Sequence, residues 1–258
     1  MKKLYLHQFL SGSGFFESKK SVYDAIRNGE VSVDGRVVRN RLFQVKPCKS
    51  IVSWKGRKIA FAGGKTYIVL NKPAGFLSSR LAGKDLEKGK KSVFSLLSGI
   101  DEKTRNSLFC VGRLDEDTSG LLLLTNDGVL CSRITNPKYG VEKSYSVVLE
   151  KPVSRREARK IEKGVVIDLE EDGRLSNHRT KACKIAVDSG DCRRLEITLS
   201  EGRKREVKRM FQSIGSRVVR LKRISIGGLK LAGLGIKEGS YLILEKDFIL
   251  RAVGFDKP

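Results

Sequence analysis

Leu6, Phe9 and Leu10 recur at the spacing of one helix face, and the stretch "SGSG" at 11–14 interrupts them. Ser18 then stands where an N-cap belongs, ahead of Val22, Ala25 and Ile26 on a second helical face that Gly29 closes. Val31 and Val33 alternate with polar neighbours up to Asp34-Gly35, which predicts a hairpin. Residues 47–66 read as a closing strand plus connector, and "TYIVLNKP" as a buried strand stopped by Pro73. A basic loop over 80–91 leads to a short helix around Val93 to Leu97. "LFCV" and "LLLLT" flank a polar loop, and a helix opens at Asn126 or Asp127. "KSYSVVLEKPV" alternates as a half-buried strand does, and Ser154 with Glu157 forms a capping box ahead of "RREARKIEKG". Strands follow near 181–188 and 193–200. A helix over roughly 204–214, with Met210, Phe211 and Ile214 facing inward, ends at Gly215, and "VVRLKRISI" and "YLILEK" finish a sheet. Strands come in runs, without the strict alternation of a doubly wound fold. The fold class is therefore α+β, with a mainly antiparallel mixed sheet.

Charge narrows the partners. The chain carries 52 Lys and Arg against 29 Asp and Glu, a formal net charge of +23 over 258 residues. Such an excess points to a polyanion, and nucleic acid fits best because phosphate neutralisation releases counterions. No helix pairs a basic face with a wide aromatic one, and no run of about 18 apolar residues occurs, so no membrane partner is expected. The basic start "MKKLYLHQFL" has too short an apolar stretch for a signal peptide, which makes the cytoplasm the expected compartment. Five scattered cysteines (Cys48, Cys110, Cys131, Cys183, Cys192) read as free thiols, and with only His7 and His178 no zinc cluster assembles at the usual spacings. Two histidines also leave catalysis to Asp, Glu, Lys, Arg or Tyr.

Residues 1–60 hold 13 Lys and Arg against 4 Asp and Glu, a net +9. Lys19 and Lys20 fall in the first turn of the second helix, where the dipole disfavours cations, so a docked phosphate is the expected reason for them. The sequence "GGKT" at 63–66 is no P-loop, because Ile59 stands where a glycine is required and no helical pattern follows.

The unusual stretch is "GRLDEDTSGLLLLTNDG", 112–128, where three acids cluster at the mouth of an apolar strand in a strongly basic chain. As a calcium loop it fails, since Asn126 occupies the position of the bidentate glutamate and both flanks read as strands. Two readings remain: a plain turn, or a carboxylate held beside a cation for chemistry.

Here the motifs resemble a known family. "YIVLNKPAG" (67–75), "GRLDEDTSGLLLLTNDG", "KSY" (143–145) and "EGRKREVKRMF…VVRLKRISIGGL" (201–229) follow in this order, and together they are similar to the RsuA/RluB-type pseudouridine synthases of ribosomal RNA. The first 60 residues resemble the small RNA-binding module named after ribosomal protein S-four. The resemblance implies a small N-terminal α/β RNA-binding module over 1–60, followed by a larger catalytic domain over 61–258. It also implies isomerisation of a specific uridine in ribosomal RNA or in a subunit assembly intermediate. Base flipping presents the uridine, and neither cofactor nor small-molecule cosubstrate takes part. The protein is expected to be a monomer. By the same resemblance Asp115 falls on the catalytic aspartate, Tyr145 on the tyrosine that stacks on the target base, and Lys208 on its basic partner. Arg113 matches the arginine that fills the gap left by the flipped nucleotide, and Leu229 an apolar wall of the pocket. Lys19, Lys20, Arg27, Arg203, Arg205 and Arg209 complete the expected RNA contacts. Glu206 departs from the pattern, where glutamine is common, and an extra acid there is expected to weaken the local positive field. Glu116 and Asp117 are expected to shape the turn or hold neighbouring basic groups.

Two rivals belong to other classes. An RNA-binding protein without catalysis would make Asp115 a turn residue, and a zinc deaminase would need a His/Cys cluster that the sequence lacks.

Overall fold

The computed structural model describes residues 3–16, 18–47, 49–60, 64–81, 83–171 and 174–255. The chain divides into two compact units, one of residues 1–66 with 97–109 and 125–127, the other of 67–96, 110–124 and 128–258.

In the first unit, helix α1 (Leu6–Ser11) buries Leu6, Phe9 and Leu10, and helix α2 (Lys19–Arg27) buries Val22, Ala25 and Ile26. The predicted stripes thus meet in one core with Val31, Val33, Val45, Val52 and Ile59. Ser18 caps α2 by accepting from the Ser21 N–H at 3.1 Å. Strands β1 (Val31–Val33) and β2 (Arg36–Val37) form the expected hairpin, with left-handed Asp34 and Gly35 as its two turn residues. Residues 47–66 depart from the expected strand plus connector. Strand β3 (Val52–Trp54) folds back through Lys55-Gly56 into β4 (Arg57–Ile59), a second hairpin of the same kind. Residues 61–63 of that stretch, and Cys48, lie outside the described residues. The segment 97–109 adds a short helix, Glu102–Ser107, capped by Asp101, which accepts from the Thr104 N–H at 2.9 Å.

The second unit is built on one mixed sheet. Its strands are β5 (Tyr67–Lys72), β6 (Ser119–Thr125), β7 (Lys143–Leu149), β8 (Lys184–Val187), β9 (Arg194–Leu199), β10 (Val218–Ile226) and β11 (Tyr241–Ile243). They lie in the order β8-β9-β7-β10-β6-β5-β11. The pairs β8–β9, β9–β7, β7–β10 and β5–β11 are antiparallel, and β6–β10 is parallel. Helix α3 (Arg155–Glu162), with the Ser154/Glu157 capping box in place, covers part of the sheet. Helix α4 (Glu206–Gln212) buries Val207, Met210 and Phe211 in a core shared with Val147, Leu195, Ile197 and Leu221. A second core joins Tyr67, Val69, Leu121, Leu123, Ile226 and Leu229. The strands of 166–171 and 174–179 pair as a separate antiparallel ribbon that the alternation did not reveal, because "RLSNHR" has no apolar face to read. The architecture is the α+β arrangement the sequence implied.

At Gly120 the sheet admits no side chain. A Cβ there would lie 2.2 Å from the Arg223 carbonyl oxygen, and φ is +103°. The glycine of "TSG" is therefore what lets β6 lie against β10 directly behind the acidic loop.

Candidate active site

The acidic loop is fixed from below by a lysine. Lys72, the last residue of β5, has no exposed surface. Its Nζ donates to the backbone carbonyls of Thr118 at 2.7 Å, Pro73 at 3.0 Å, Glu116 at 3.1 Å and Asp115 at 3.2 Å. Burial pushes the ammonium down to about 8, against the pull of Asp117, Asp115 and Glu116. Cationic Lys72 gathers three carbonyl oxygens of the loop together with that of its neighbour Pro73, and so sets the turn closed by Thr118 N–H donating to Asp115 O at 3.1 Å. Ser78 holds the approach: its Oγ accepts from Leu114 N–H at 3.1 Å and donates to Leu114 C=O at 2.8 Å. The backbone on both sides of Asp115 is therefore held by buried or half-buried groups of other elements.

The three carboxylates divide their partners. Glu116 pairs with Lys90. Asp117 Oδ1 takes a 2.5 Å hydrogen bond from Lys208 Nζ, and Asp115 Oδ2 lies 3.9 Å from the same nitrogen. Burial raises the Asp117 carboxyl, but the hydrogen bond and charge of Lys208 outweigh it and hold the group below its usual range. Lys208 is mostly buried at 14% side-chain exposure, whereas Asp115 keeps 37%. Lys208 thus bonds first to the outward-facing Asp117, and Asp115, the least exposed of the three acids, has the same cation beside it without a hydrogen bond from it. Lys208 lies within ion-pair distance of Asp115 and bridges it to Asp117.

Lys208 is placed by the start of α4. Arg205, a non-glycine residue, adopts a left-handed conformation (φ +56°, ψ 28°), so the helix opens at Glu206 instead of near 204. Such backbone is uncommon outside glycine and is held by its surroundings. Glu206 supplies one hold, accepting from Arg203 N–H at 2.8 Å through Oε2. Its Oε1 is buried with no donor from another group, and it faces the buried Glu201. Burial pushes Glu206 up to about 8, and the hydrogen bond with Glu201 adds to the shift. Glu201 in turn accepts from Lys181 N–H at 2.6 Å and lies 3.4 Å from His178 Nε2. Near neutral pH Glu206 therefore carries its proton and donates it to Glu201. In that form it has the donor-and-acceptor pair of a glutamine side chain, and the weakening of the positive field expected of an added acid is reduced accordingly.

Tyr145 is half-buried on β7, packed at the edge of the α4 core and in register with Arg223 of β10. Arg223 was missed from sequence. It is 3% exposed, its Nε donates to Leu121 C=O at 2.8 Å, and one terminal nitrogen has no partner. Its position in the alternating "VVRLKRISI" gave it no signal apart from sitting where an apolar residue was due. Lys72 was also unassigned, although it lies within the quoted "YIVLNKPAG".

The other expected contacts scatter. Arg113 and the side chains of Arg203 and Arg205 are exposed, while Arg209 is half-buried and donates to Lys204 C=O at 3.1 Å. Lys19 and Lys20 are exposed at the start of α2, but one free N–H of that turn is already taken by Ser18. Arg27 is exposed and bonded to Asp24 at 2.9 Å. Leu229 is 2% exposed and packs with Val111, Leu121 and Ile226, in a different core from the one Tyr145 packs against. Apolar character alone does not separate a wall position from a core position. Cys110, Cys131, Cys183 and Cys192 are free thiols, and burial pushes Cys110 up to about 12. Among the described residues no cluster of His, Cys, Asp or Glu could hold a metal ion, and no helix is long and apolar enough to cross a membrane.

A carboxylate on a loop pinned by a buried lysine, with a second lysine beside it, in a chain of net charge +23, defines a class of enzyme acting on nucleic acid. Residues 66–213 match the family described as RNA pseudouridylate synthase, and the chain belongs to that family. It is an RNA pseudouridine synthase, an isomerase. Ribosomal small subunit pseudouridine synthase A of Escherichia coli (strain K12) is 37% identical over 228 residues, 88% of this chain and 91% of the relative. An uncharacterized RNA pseudouridine synthase of Aquifex aeolicus (strain VF5) is 36% identical over 234 residues, 91% and 88% of the two chains. A crystal structure of a pseudouridylate synthase superposes with a TM-score of 0.65 at 30% identity, covering 97% of this chain and all of that one.

Proposed function

We propose that the chain isomerises one uridine of ribosomal RNA, with Asp115 as the reacting carboxylate and the target base turned out of its stack. The observation that carries this reading is the placement of Asp115 3.9 Å from Lys208, on a loop whose backbone Lys72 holds through three carbonyls. The E. coli relative named for the small ribosomal subunit makes small-subunit RNA the first substrate to try.

The reaction breaks the bond from the sugar to ring nitrogen 1, turns the ring, and joins the sugar to carbon 5. The proton on carbon 5 leaves and nitrogen 1 gains one, so the mass is unchanged. Lys208 places its charge 3.9 Å from the Asp115 carboxylate, and its firmer bond to Asp117 keeps the ammonium in place. Tyr145, on a strand fixed on both sides by β9 and β10, offers a ring face to the extruded base. Exposed Arg113, two residues before Asp115, fills the vacated stack, and exposed Arg203 and Arg205 take phosphates. Each phosphate contact is base-independent and salt-sensitive, and their sum offsets the few kcal/mol of unstacking.

The test is release of tritium from RNA labelled at uracil carbon 5, on small- and large-subunit ribosomal RNA in parallel, with nuclease digestion to detect pseudouridine. Release with one new pseudouridine supports the reading. No release from either RNA, free or within precursor particles, while the protein still binds both, would leave the binding-protein alternative.

A further inference from the structure

Three aromatic rings of the first unit gather at the edge of its core, with Tyr23 half-buried against it, His7 half-buried and Tyr5 exposed. The core stripe of α1 and α2 is made by Leu6, Phe9, Leu10, Val22, Ala25 and Ile26, yet Tyr5, His7 and Tyr23 gather beside it. Tyr5 and His7 lie with ring centroids 5.9 Å apart and planes within 10° of parallel. His7 meets Tyr23 edge-on at 5.9 Å, and the Arg41 guanidinium lies 5.0 Å from the centroid of the Tyr23 ring. The group is held rigidly: His7 Nδ1 bonds Arg41 C=O at 2.8 Å, His7 N–H donates to the same oxygen at 3.2 Å, and Leu6 N–H donates to Phe43 C=O at 2.7 Å. It is also open, with Tyr5 40% and Phe43 41% exposed. Among the described residues no hydrogen bond occupies the Tyr5 or Tyr23 hydroxyl.

The surroundings are cationic. On α2, Lys19, Lys20 and Arg27 stand four and three residues before Tyr23 and four after it, on the same side of the helix. Arg41 joins them from the loop. The acid on that side of α2 is Asp24, already bonded to Arg27.

We propose that this cluster is a stacking platform for an unpaired base of the RNA, with the flanking lysines and Arg27 on the adjoining phosphates. Fixed aromatic faces interleaved with cations suit a single-stranded nucleotide, whose base is free to stack, and not a duplex, whose bases are already stacked. The site is separate from the uridine pocket and requires no particular base, because every base has a π-face. It rests on the reading of ribosomal RNA as substrate and adds which feature of that RNA the N-terminal unit recognises.

The test uses the full chain and uridine-free RNA hairpins, so that the catalytic pocket has no substrate. One hairpin carries a single unpaired 2-aminopurine, and its control has that position paired. Binding of the first is expected to be about tenfold tighter and to quench the 2-aminopurine fluorescence. Tyr5→Ala, at an exposed position, and Tyr23→Leu, which keeps apolar volume, are expected to abolish both the preference and the quenching. Both variants should keep the salt dependence that Lys19→Ala and Lys20→Ala reduce. Equal binding of the two hairpins without quenching, or a preference that survives both tyrosine variants, overturns the proposal. Tritium release from ribosomal RNA by the same preparations reports separately on the isomerase. Release without stacking removes only the platform, and stacking without release removes only the substrate reading.

Discussion

The Nζ of Lys208 stands 3.9 Å from Oδ2 of Asp115, close enough for an ion pair and too far to claim it as a hydrogen-bond partner. The nearer contact of that lysine, 2.5 Å to Asp117, makes Asp117 a positioning residue. An acid that must react is served by a cation that stabilises it without capping it. Lys208→Met is therefore expected to lower kcat by about 100-fold or more, since it removes the charge beside the carboxylate proposed to react. Asp117→Asn keeps a bond to Lys208 and is expected to cost less than about tenfold. Steady-state tritium-release kinetics on both variants check this, and equal losses would show that the two residues act as one unit.

Lys72 explains why three acids cluster in so basic a chain: an ammonium beneath the loop gathers its carbonyls, and the acids above offset the cost of burying that ammonium. Lys72→Met removes the ammonium from the Pro73 and Thr118 oxygens, while Asp115 C=O keeps the Thr118 N–H and Glu116 C=O keeps the Gly75 N–H. A cost of about 2–4 kcal/mol follows at 1–3 kcal/mol for each oxygen that water cannot reach. Thermal unfolding should show a midpoint several degrees lower, and kcat should fall with KM nearly unchanged. A variant as stable as the wild type would mean that the carbonyls find other donors.

How much of this was legible in the chain depended on the kind of signal. Helices α1, α2 and α3 announced themselves through apolar spacing and caps, and Asp34-Gly35 through the one backbone conformation such a turn accepts. Asp115 stood out as an acid beside an apolar strand. Lys72 and Arg223 did not, because a buried cation bonded to backbone carbonyls leaves no carboxylate partner to notice in the sequence. The helix Lys246–Ala252 went unassigned as well, being too short to show a period beside the "YLILEK" strand. Leu229 shows the converse, an apolar residue whose side of the sheet is decided only by tertiary packing.

Glu206 makes the stability of the molecule fall as pH rises. Its folded value, about 8, lies above the ordinary 4.5, so the folded chain holds more protons between those limits and the contribution is lost as pH climbs through 8. Lys72, pushed down from 10.5 to about 8, acts above that window with the opposite sign, and Glu201, held below 4.5, acts beneath it. Glu206→Gln keeps the donor and acceptor while removing the titration. Relative to this variant the wild type is expected to lose stability between pH 5.5 and 7.5, by at most about 1.4 kcal/mol per pH unit. Chemical denaturation at both pH values measures the difference. Parallel curves for the two proteins would mean that Glu206 ionises freely.

The most direct measurement compares tritium release from carbon-5-labelled ribosomal RNA by the wild type and by Asp115→Asn, both first shown to fold and to bind the RNA equally. Release by the wild type with loss of all detectable turnover in the variant is the expected result. Release by both would place the reacting carboxylate elsewhere and return Asp115 to the role of a turn residue.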